Sequence, residues 1–316
     1  MKLQRLEEIN QNIKYQFDQL KAEHPEKLKK RMNMSFSTWV FGLEELEESV
    51  ERLSRFKVPF IELGGNYGGP DVGYQADLEG TKKILEKYGV RVSGICGFFS
   101  DANTLSTNNN FARQTAREYI IEEVKFCHAV GGDYVLVVPS TVGRNTPYDT
   151  SDYARSVSTL RSVADIFTQT GVKCAIEPIN SAEVCMCSTI KTAKQYIRDV
   201  NHPGVQHING DIFHMLCGES HISRAIMDAG DALVNLHIED TNRLPLGNGM
   251  MDVDTIIMAL YVMGYNTDGK YVTGEPLGPG RDSYSIMYGQ HPAEAKDRQV
   301  ADTLYFCERE EELING

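Results

Sequence analysis

Short β-rich runs alternate with helical segments along the chain from residue 32 onward, and this alternation most constrains how the chain can fold. Several of the helical segments end at a glycine, as helices commonly do. Strict alternation predicts parallel strands joined by helices, and eight repeats of the unit predict a (β/α)8 barrel. The eight runs are MNMSFSTW (32–39), VPFIELGG (58–65), VRVSGICGF (90–98), DYVLVVP (133–139), KCAIEP (173–178), VQHINGD (205–211), ALVNLHIED (232–240) and KYVTGEP (270–276).

The first 31 residues are predicted to form a helical extension, with the helix over residues 2–30. Their apolar residues recur at steps of three and four, which is typical of one face of an amphipathic helix: Leu3, Leu6, Ile9, Ile13, Phe17 and Leu20. We predict a single barrel domain over residues 32–316, with a long C-terminal tail after the last strand. A doubly wound sheet is the structural alternative. No G-x-G-x-x-G follows the first strand, so a dinucleotide site is unsupported.

The charge of the chain argues against nucleic acid and anionic membrane surfaces as partners. Its 316 residues include 44 acidic and 32 basic side chains, which gives a net charge of −12. No stretch approaches the roughly 20 consecutive apolar residues of a membrane span, and the first residues are too charged for a signal peptide. The 7 scattered cysteines are expected to be reduced thiols. We therefore expect a soluble cytoplasmic protein.

Four consecutive late strands end in side chains that can bind a metal ion, namely Glu177, Asp211, His237 and Glu275. In a (β/α)8 barrel, the carboxyl ends of the strands form the mouth where active sites lie. One carboxylate at a strand end is as well explained by a helix cap or an ion pair. Four converging groups would place like charges together without a cation. Three carboxylates and one imidazole predict a divalent cation such as Mn²⁺, Mg²⁺ or Co²⁺.

Further polar residues stand at short offsets from these strand ends. Glu183 lies six residues after Glu177, His214 three after Asp211, and Arg243 six after His237. We expect them on loops above the mouth, where they would hold substrate hydroxyls, although each taken singly also fits a solvated loop residue. Aromatic residues near the ends of the early strands either form an apolar part of the mouth or pack the barrel against its helices: Trp39, Phe41, Tyr67, Tyr74, Phe98 and Phe99.

The motifs around these residues resemble those of the xylose-isomerase-like sugar isomerase/epimerase superfamily of TIM barrels, in particular the ketose 3-epimerases. The resemblance covers roughly residues 33–280 and implies Mn²⁺ first, with Mg²⁺ or Co²⁺ as alternatives. It also implies that Glu177, Asp211, His237 and Glu275 bind the metal, that Glu177 and Glu275 double as the acid/base pair, and that Glu183, His214 and Arg243 hold sugar oxygens. The motifs are E-P-I-N-S-A-E (177–183), G-D-I-F-H-M (210–215), H-I-E-D-T-N-R (237–243) and G-E-P (274–276).

Other features resemble the larger α subunit of bacterial C-glycoside deglycosidases. They are the helical extension, the long tail, and the segments SFSTWVFG, SAEVCMCST, VNHPGVQHINGD and EPLGPG. This resemblance implies cleavage of the C–C glycosidic bond of 3-oxo-C-glucosides together with a small β subunit. We take it as the first interpretation and a ketose 3-epimerase of the D-tagatose or D-psicose type as the alternative. The extension and the tail are candidate contacts with a β subunit or with a second copy of the chain.

Both interpretations begin with the removal of a proton from a carbon next to a ketone, assisted by a divalent cation and a carboxylate. An epimerase returns a proton to the opposite face of C3. A deglycosidase expels the aglycone from C1 of a ring that another enzyme has already oxidised at C3. A binding protein without chemistry is disfavoured because all the expected ligands and both glutamates are present. A metal-dependent nuclease is disfavoured by the net charge of −12.

Overall fold

The structure, a computed structural model, describes residues 2–65, 75–279 and 284–316, with side chains from residue 5 onward. Within these ranges, eight parallel strands form one sheet in the order β1-β8-β7-β6-β5-β4-β3-β2. A bridge between Ser37 and Glu62 joins the ends of β1 and β2, so that the sheet closes into a barrel. The strands are β1 Met34–Phe36, β2 Phe60–Gly64, β3 Arg91–Cys96, β4 Tyr134–Val137, β5 Lys173–Ile176, β6 His207–Asp211, β7 Leu233–Ile238 and β8 Tyr271–Gly274.

Each of the eight predicted runs contains one of these strands, and the predicted barrel is confirmed. The helices of the described residues are α1 Lys2–Glu23, α2 Leu46–Arg55, α3 Leu78–Tyr88, α4 Asn110–Ala129, α5 Asp152–Arg161, α6 Asp165–Thr170, α7 Ile190–Val200, α8 Ile212–Gly218, α9 Ile222–Ala229, α10 Val253–Val262, α11 Ala293–Thr303 and α12 Tyr305–Asn315. None of them is both long and apolar enough to cross a membrane. All seven cysteines are free thiols.

Three helical regions differ from the sequence prediction. The first helix ends at Glu23, before Pro25, because proline disfavours a helical conformation of the residue before it and cannot donate a backbone hydrogen bond. The periodicity of the segment SDYARSVSTLRSVADIFTQTG (151–171) predicts one helix, but the segment forms two, α5 and α6, separated by a turn with hydrogen bonds three residues apart. The short helix α8 was not predicted, because it begins directly where β6 ends.

The N-terminal helix packs on the outside of the barrel, against α9 and α10. Ile13 and Phe17 are buried in the main core, and the Phe17 ring lies 6.0 Å from the ring of Tyr261 on α10. Asn10 donates a hydrogen bond to Asp252 over 2.9 Å, and its Oδ1 lies 2.7 Å from Nε2 of His221. The extension therefore shares a core with the barrel.

The C-terminal tail also contacts the barrel of the same chain. Arg52 on α2 forms ion pairs with Glu44 over 2.6 Å and with Asp297 on α11 over 2.8 Å. Glu310 on α12 accepts hydrogen bonds from the backbone N–H of Met32 over 2.9 Å and from the hydroxyl of Tyr261 over 2.7 Å. Contacts of the outer faces of the extension and the tail with a β subunit or a second copy stay a prediction.

Replacing Phe17 with alanine is expected to lower the free energy of unfolding by about 3–5 kcal/mol, because a buried ring is lost and leaves a cavity. Urea denaturation followed by circular dichroism measures the change. Tyr15→Ala is the matched control on α1, since its side chain is 62% exposed against 2% for Phe17. Its effect is expected to stay within about 0.5 kcal/mol. Equal effects of the two substitutions would contradict the packing of α1 against the barrel.

Candidate active site

The four predicted metal-binding residues all lie buried at the carboxyl ends of their strands. Glu177 and Glu275 directly follow β5 and β8, Asp211 ends β6, and His237 is the fifth residue of β7. Nδ1 of His237 lies 3.1 Å from Oε2 of Glu275 and 3.6 Å from Oε1 of Glu177. The barrel therefore brings both predicted acid/base glutamates to one nitrogen of one imidazole.

Asp211 has two functions in the local structure. Its Oδ1 accepts hydrogen bonds from the backbone N–H groups of Phe213 and His214, over 2.8 and 3.0 Å, and so caps α8. Its Oδ2 is buried, and no hydrogen-bond donor of the described residues reaches it. Oδ2 lies 3.4 Å from Nε2 of His214 and 3.9 Å from Nη2 of Arg243. A buried carboxylate oxygen without a donor is well suited to bind a cation.

Among the residues that the structure describes, potential ligand atoms form two groups, and the atoms of each group lie within 4.8 Å of one another. One group contains Glu177, Asp211 and His214, and the other contains Glu62, Cys96, His237 and Glu275. Glu62 and Cys96 were not predicted from the sequence, because the predicted ligands were those at the ends of the late strands. A signal for Glu62 was available, since it is a charged residue in the middle of the apolar run FIELG.

A cavity of about 220 Å³ opens above this cluster. The predicted residues Trp39, Glu177, His214, Arg243 and Glu275 line it. The remaining wall of the cavity is largely apolar. That apolar wall includes Phe98, Phe99, Val138, Val142, Ile179 and Tyr288.

Two of the other predicted residues, Glu183 and Phe41, are placed differently. Glu183 accepts hydrogen bonds from Nδ2 of Asn180 over 2.7 Å and from the hydroxyl of Tyr284 over 2.5 Å, and it reaches the cavity through Tyr284, which lines it. Phe41 stacks on Phe36 with ring centroids 5.5 Å apart, so it packs the barrel rather than the cavity. Tyr67 and Tyr74 lie outside the described residues.

Arg243 supplies a buried positive charge beside the cavity. Its backbone has a φ of +61°, which is uncommon for a residue other than glycine and asparagine. Two backbone hydrogen bonds hold this turn, one to the carbonyl of Asp240 over 2.8 Å and one from the N–H of Gly278 over 2.7 Å. The guanidinium lies between the rings of Phe213 and Tyr284, 4.8 and 4.9 Å from their centroids. The strained turn therefore holds the positively charged guanidinium of Arg243 at the site.

Burial and neighbouring charges shift the pKa values of His237, Glu177 and Asp211. Burial lowers the pKa of His237, but the charges of Glu275 and Glu62 outweigh burial and raise this pKa well above its ordinary value. Burial raises the pKa of Glu177. Burial also acts to raise the pKa of Asp211, but His214 and Arg243 outweigh it and lower this pKa to about 2. The cluster thus attracts protons at its centre, where a divalent cation would supply the same compensating charge.

Glu239 is a further buried carboxyl group that sequence analysis did not single out. It follows His237 by two residues and therefore points to the same side of the chain. Its Oε1 accepts a hydrogen bond over 3.0 Å from the backbone N–H of Phe213, which also donates to Asp211. Burial and the charge of Asp211 raise the pKa of Glu239 well above its ordinary value. The nearby charge of Asp211 therefore disfavours the ionised form of Glu239.

Comparisons with known proteins agree with this architecture. The family model described as a xylose isomerase-like TIM barrel matches residues 43–276. A ketose 3-epimerase of Arthrobacter globiformis is 28% identical over 195 residues, which are 61% of this chain and 67% of that protein. A 3-dehydro-D-guloside 4-epimerase of Escherichia coli is 26% identical over 226 residues, which are 67% of this chain and 84% of that protein.

A solved structure of similar fold is D-allulose 3-epimerase from Methylomonas sp. in complex with D-allulose. It superimposes with a TM-score of 0.75 at 20% identity and covers 89% of this chain and 98% of its own. The superfamily resemblance of the sequence motifs is confirmed by the family model, which covers most of the barrel. The chain belongs to the xylose isomerase-like TIM barrel family.

Proposed function

We propose that the protein is a metal-dependent epimerase that inverts a carbon next to the ketone of a keto sugar. The observation that carries this proposal is the convergence of Glu177 and Glu275 on Nδ1 of His237, over 3.6 and 3.1 Å, at the floor of one cavity. Inversion requires two proton-transfer groups near one carbon, and these two carboxylates come from different strands. The relatives named as ketose 3-epimerases and as a 3-dehydro-D-guloside 4-epimerase support the proposal.

The buried donor set suits a divalent cation. Glu177, Asp211, His237 and Glu275 would hold it, with Mn²⁺ as our first choice and Mg²⁺ or Co²⁺ as alternatives. When bound, such a cation polarises the ketone oxygen and makes the neighbouring C–H bond more acidic. The unpartnered Oδ2 of Asp211 and the single imidazole among carboxylates support this assignment.

The protein residues then have distinct tasks. One of the two glutamates removes the proton from the carbon next to the ketone, and the other delivers a proton to the opposite face of the same carbon. Asn209 donates a hydrogen bond over 2.9 Å to Oε1 of Glu177 and so orients that carboxylate. His214 and Arg243 line the cavity and offer N–H groups to the sugar oxygens. The apolar wall with Trp39 and Phe98 limits the access of water to the reacting carbon.

A C-glycoside deglycosidase, our first interpretation from the sequence, becomes the second candidate. The matching relatives are named as epimerases and an isomerase, which favours the alternative. The observation that still favours the deglycosidase is the apolar wall with Trp39, Phe98 and Phe99, which an aromatic aglycone would fit. In that function the same proton removal occurs at C2 of a 3-oxo-glucoside, and a separate enzyme has to supply the ketone.

Glu177→Gln and Glu275→Gln are each expected to lower the epimerisation rate by about 10²–10⁴-fold, because each removes one proton-transfer group. Proton NMR in D₂O with D-tagatose and D-psicose follows the entry of deuterium at C3 and the formation of the epimer. Glu118→Gln is the control, since Glu118 is exposed on α4 and contacts Gln114. A variant at either site residue with the rate of the control would remove that residue from the acid/base pair.

The same NMR experiment with a 3-oxo-C-glucoside, offered in parallel, separates the two candidate functions. For the epimerase, we expect exchange of the proton next to the ketone without release of the aglycone. Aglycone release with no deuterium entering the ketoses would contradict the epimerase and support the deglycosidase. The assay keeps any small subunit that co-purifies with the protein.

Removal of metal by a chelator is expected to abolish the exchange, and Mn²⁺, Mg²⁺ or Co²⁺ is expected to restore it. Asp211→Asn is the most informative variant for metal binding, because asparagine caps a helix as well as aspartate does and we expect the fold to persist. Since the substitution removes the charged ligand, we expect the affinity for Mn²⁺ to fall by at least about tenfold in isothermal titration calorimetry. Asp165→Asn on α6 is the control, since that carboxylate is 81% exposed and is not among the residues that line the cavity. Full activity after complete chelation would contradict the metal assignment.

A further inference from the structure

Glu62 on β2 is a completely buried carboxylate in the floor of the barrel mouth, outside the set predicted from the sequence. Three side chains donate hydrogen bonds to it. The hydroxyl of Tyr134 lies 2.5 Å from Oε1, and Nδ2 of Asn235 lies 3.2 Å from the same oxygen. Nε2 of His237 lies 3.1 Å from both oxygens. Because these donors already occupy its oxygens, Glu62 is a hydrogen-bond acceptor here rather than an open metal ligand.

Glu62 also fixes the orientation of two buried amides. Asn235 turns its Nδ2 toward the Glu62 carboxylate, since the amide oxygen of Asn235 would be repelled there. The Oδ1 of Asn235 then accepts a hydrogen bond from the hydroxyl of Thr273 over 2.7 Å. The same Nδ2 donates over 2.7 Å to Oδ1 of Asn209. Asn209 therefore turns its own Nδ2 toward Oε1 of Glu177, over 2.9 Å, and toward Nδ1 of His237, over 3.4 Å.

These contacts distinguish the two nitrogens of His237. Nε2 faces two carboxylate oxygens, which accept a hydrogen bond and cannot donate one, so Nε2 carries a proton. Nδ1 lies toward the centre of the site, with carboxylate oxygens of Glu275 and Glu177 3.1 and 3.6 Å away and Nδ2 of Asn209 3.4 Å away. A cation bound among these carboxylates would take the lone pair of Nδ1 and leave the ring proton on Nε2, where Glu62 accepts it.

We propose that Glu62 is a positioning residue that holds His237 in the tautomer protonated at Nε2 and so presents Nδ1 to the metal centre. The proposal rests on the metal centre of the proposed function. It also excludes Glu62 as a ligand and leaves the four predicted ligands, of which Glu177 and Asp211 belong to one group of ligand atoms and His237 and Glu275 to the other. Asp211, one of these four ligands, has the unpartnered buried oxygen Oδ2, which supports this choice.

Glu62→Gln tests this proposal with little change of shape. Tyr134 and Asn235 would still donate to the side-chain oxygen of the new amide, so the amide NH₂ would face Nε2 of His237. A donor at that position requires a lone pair on Nε2 and moves the imidazole proton to Nδ1. We expect the affinity for Mn²⁺, measured by isothermal titration calorimetry, to fall by about 10–100-fold.

The tautomer itself is measured on the wild-type chain, so the test does not depend on a folded variant. Long-range ¹H–¹⁵N correlation spectra of the Zn²⁺-loaded protein, labelled with ¹⁵N in its histidine rings, report which nitrogen carries the proton. The His237→Gln variant identifies the signals of His237. We expect a proton on Nε2 and the shift of a metal-bound nitrogen for Nδ1.

Tyr134→Phe is the matched control, because it removes a hydrogen bond to Glu62 and leaves the carboxylate facing Nε2. We expect it to keep both the tautomer and the Mn²⁺ affinity. Zn²⁺ bound through Nε2, or unchanged Mn²⁺ affinity in a folded Glu62→Gln variant, would overturn the proposal. A wild-type protein that binds neither metal would overturn it together with the metal centre. Metal binding without epimerisation would count against the proposed function alone.

Discussion

Several carboxyl groups are buried together at the mouth of this barrel, and their charge is the constraint on which the surrounding structure depends. Glu62, Glu177, Asp211, Glu239 and Glu275 are nearly or completely removed from water. Burying ionised groups is unfavourable unless hydrogen bonds and opposite charges accompany them. Hydrogen-bond donors from several elements and the guanidinium of Arg243 accompany these groups, while burial and the charge of Asp211 raise the pKa of Glu239. A divalent cation would balance the remaining negative charge.

This constraint accounts for local features that have no other evident use. Helix α8 begins directly at the end of β6, so that one backbone N–H of its first turn serves both Asp211 and Glu239. The loop after β7 holds Arg243 at a positive φ, which costs roughly 1–3 kcal/mol, and the position of the guanidinium justifies that strain. The C-terminal tail places Tyr284 between Arg243 and Glu183. Elements from different parts of the chain thus stabilise one set of charges.

The barrel and four of the buried polar residues could be predicted because both depend on local patterns. Strands and helices follow from periodicity, and Glu177, Asp211, His237 and Glu275 stand at strand ends, which a (β/α)8 barrel always brings to one mouth. Glu62, Asn209 and Asn235 stand inside strands, where the sequence does not show which side chains face the interior at the same height. Helix α8 was missed because it has no linker before it, and the position of Tyr284 depends on how the tail returns to the mouth.

The placement of Glu177 and Glu275, the two glutamates proposed as the acid/base pair, bears on which reaction would follow proton removal. An elimination needs an acid beside the bond that breaks, one carbon away from the ketone-activated position. An inversion needs an acid across the same carbon that lost its proton. Glu177 and Glu275 come from strands separated by β6 and β7, yet both approach Nδ1 of His237 within 3.6 Å. Both carboxylates therefore lie near one common point, which is the arrangement that the proposed inversion at a single carbon requires.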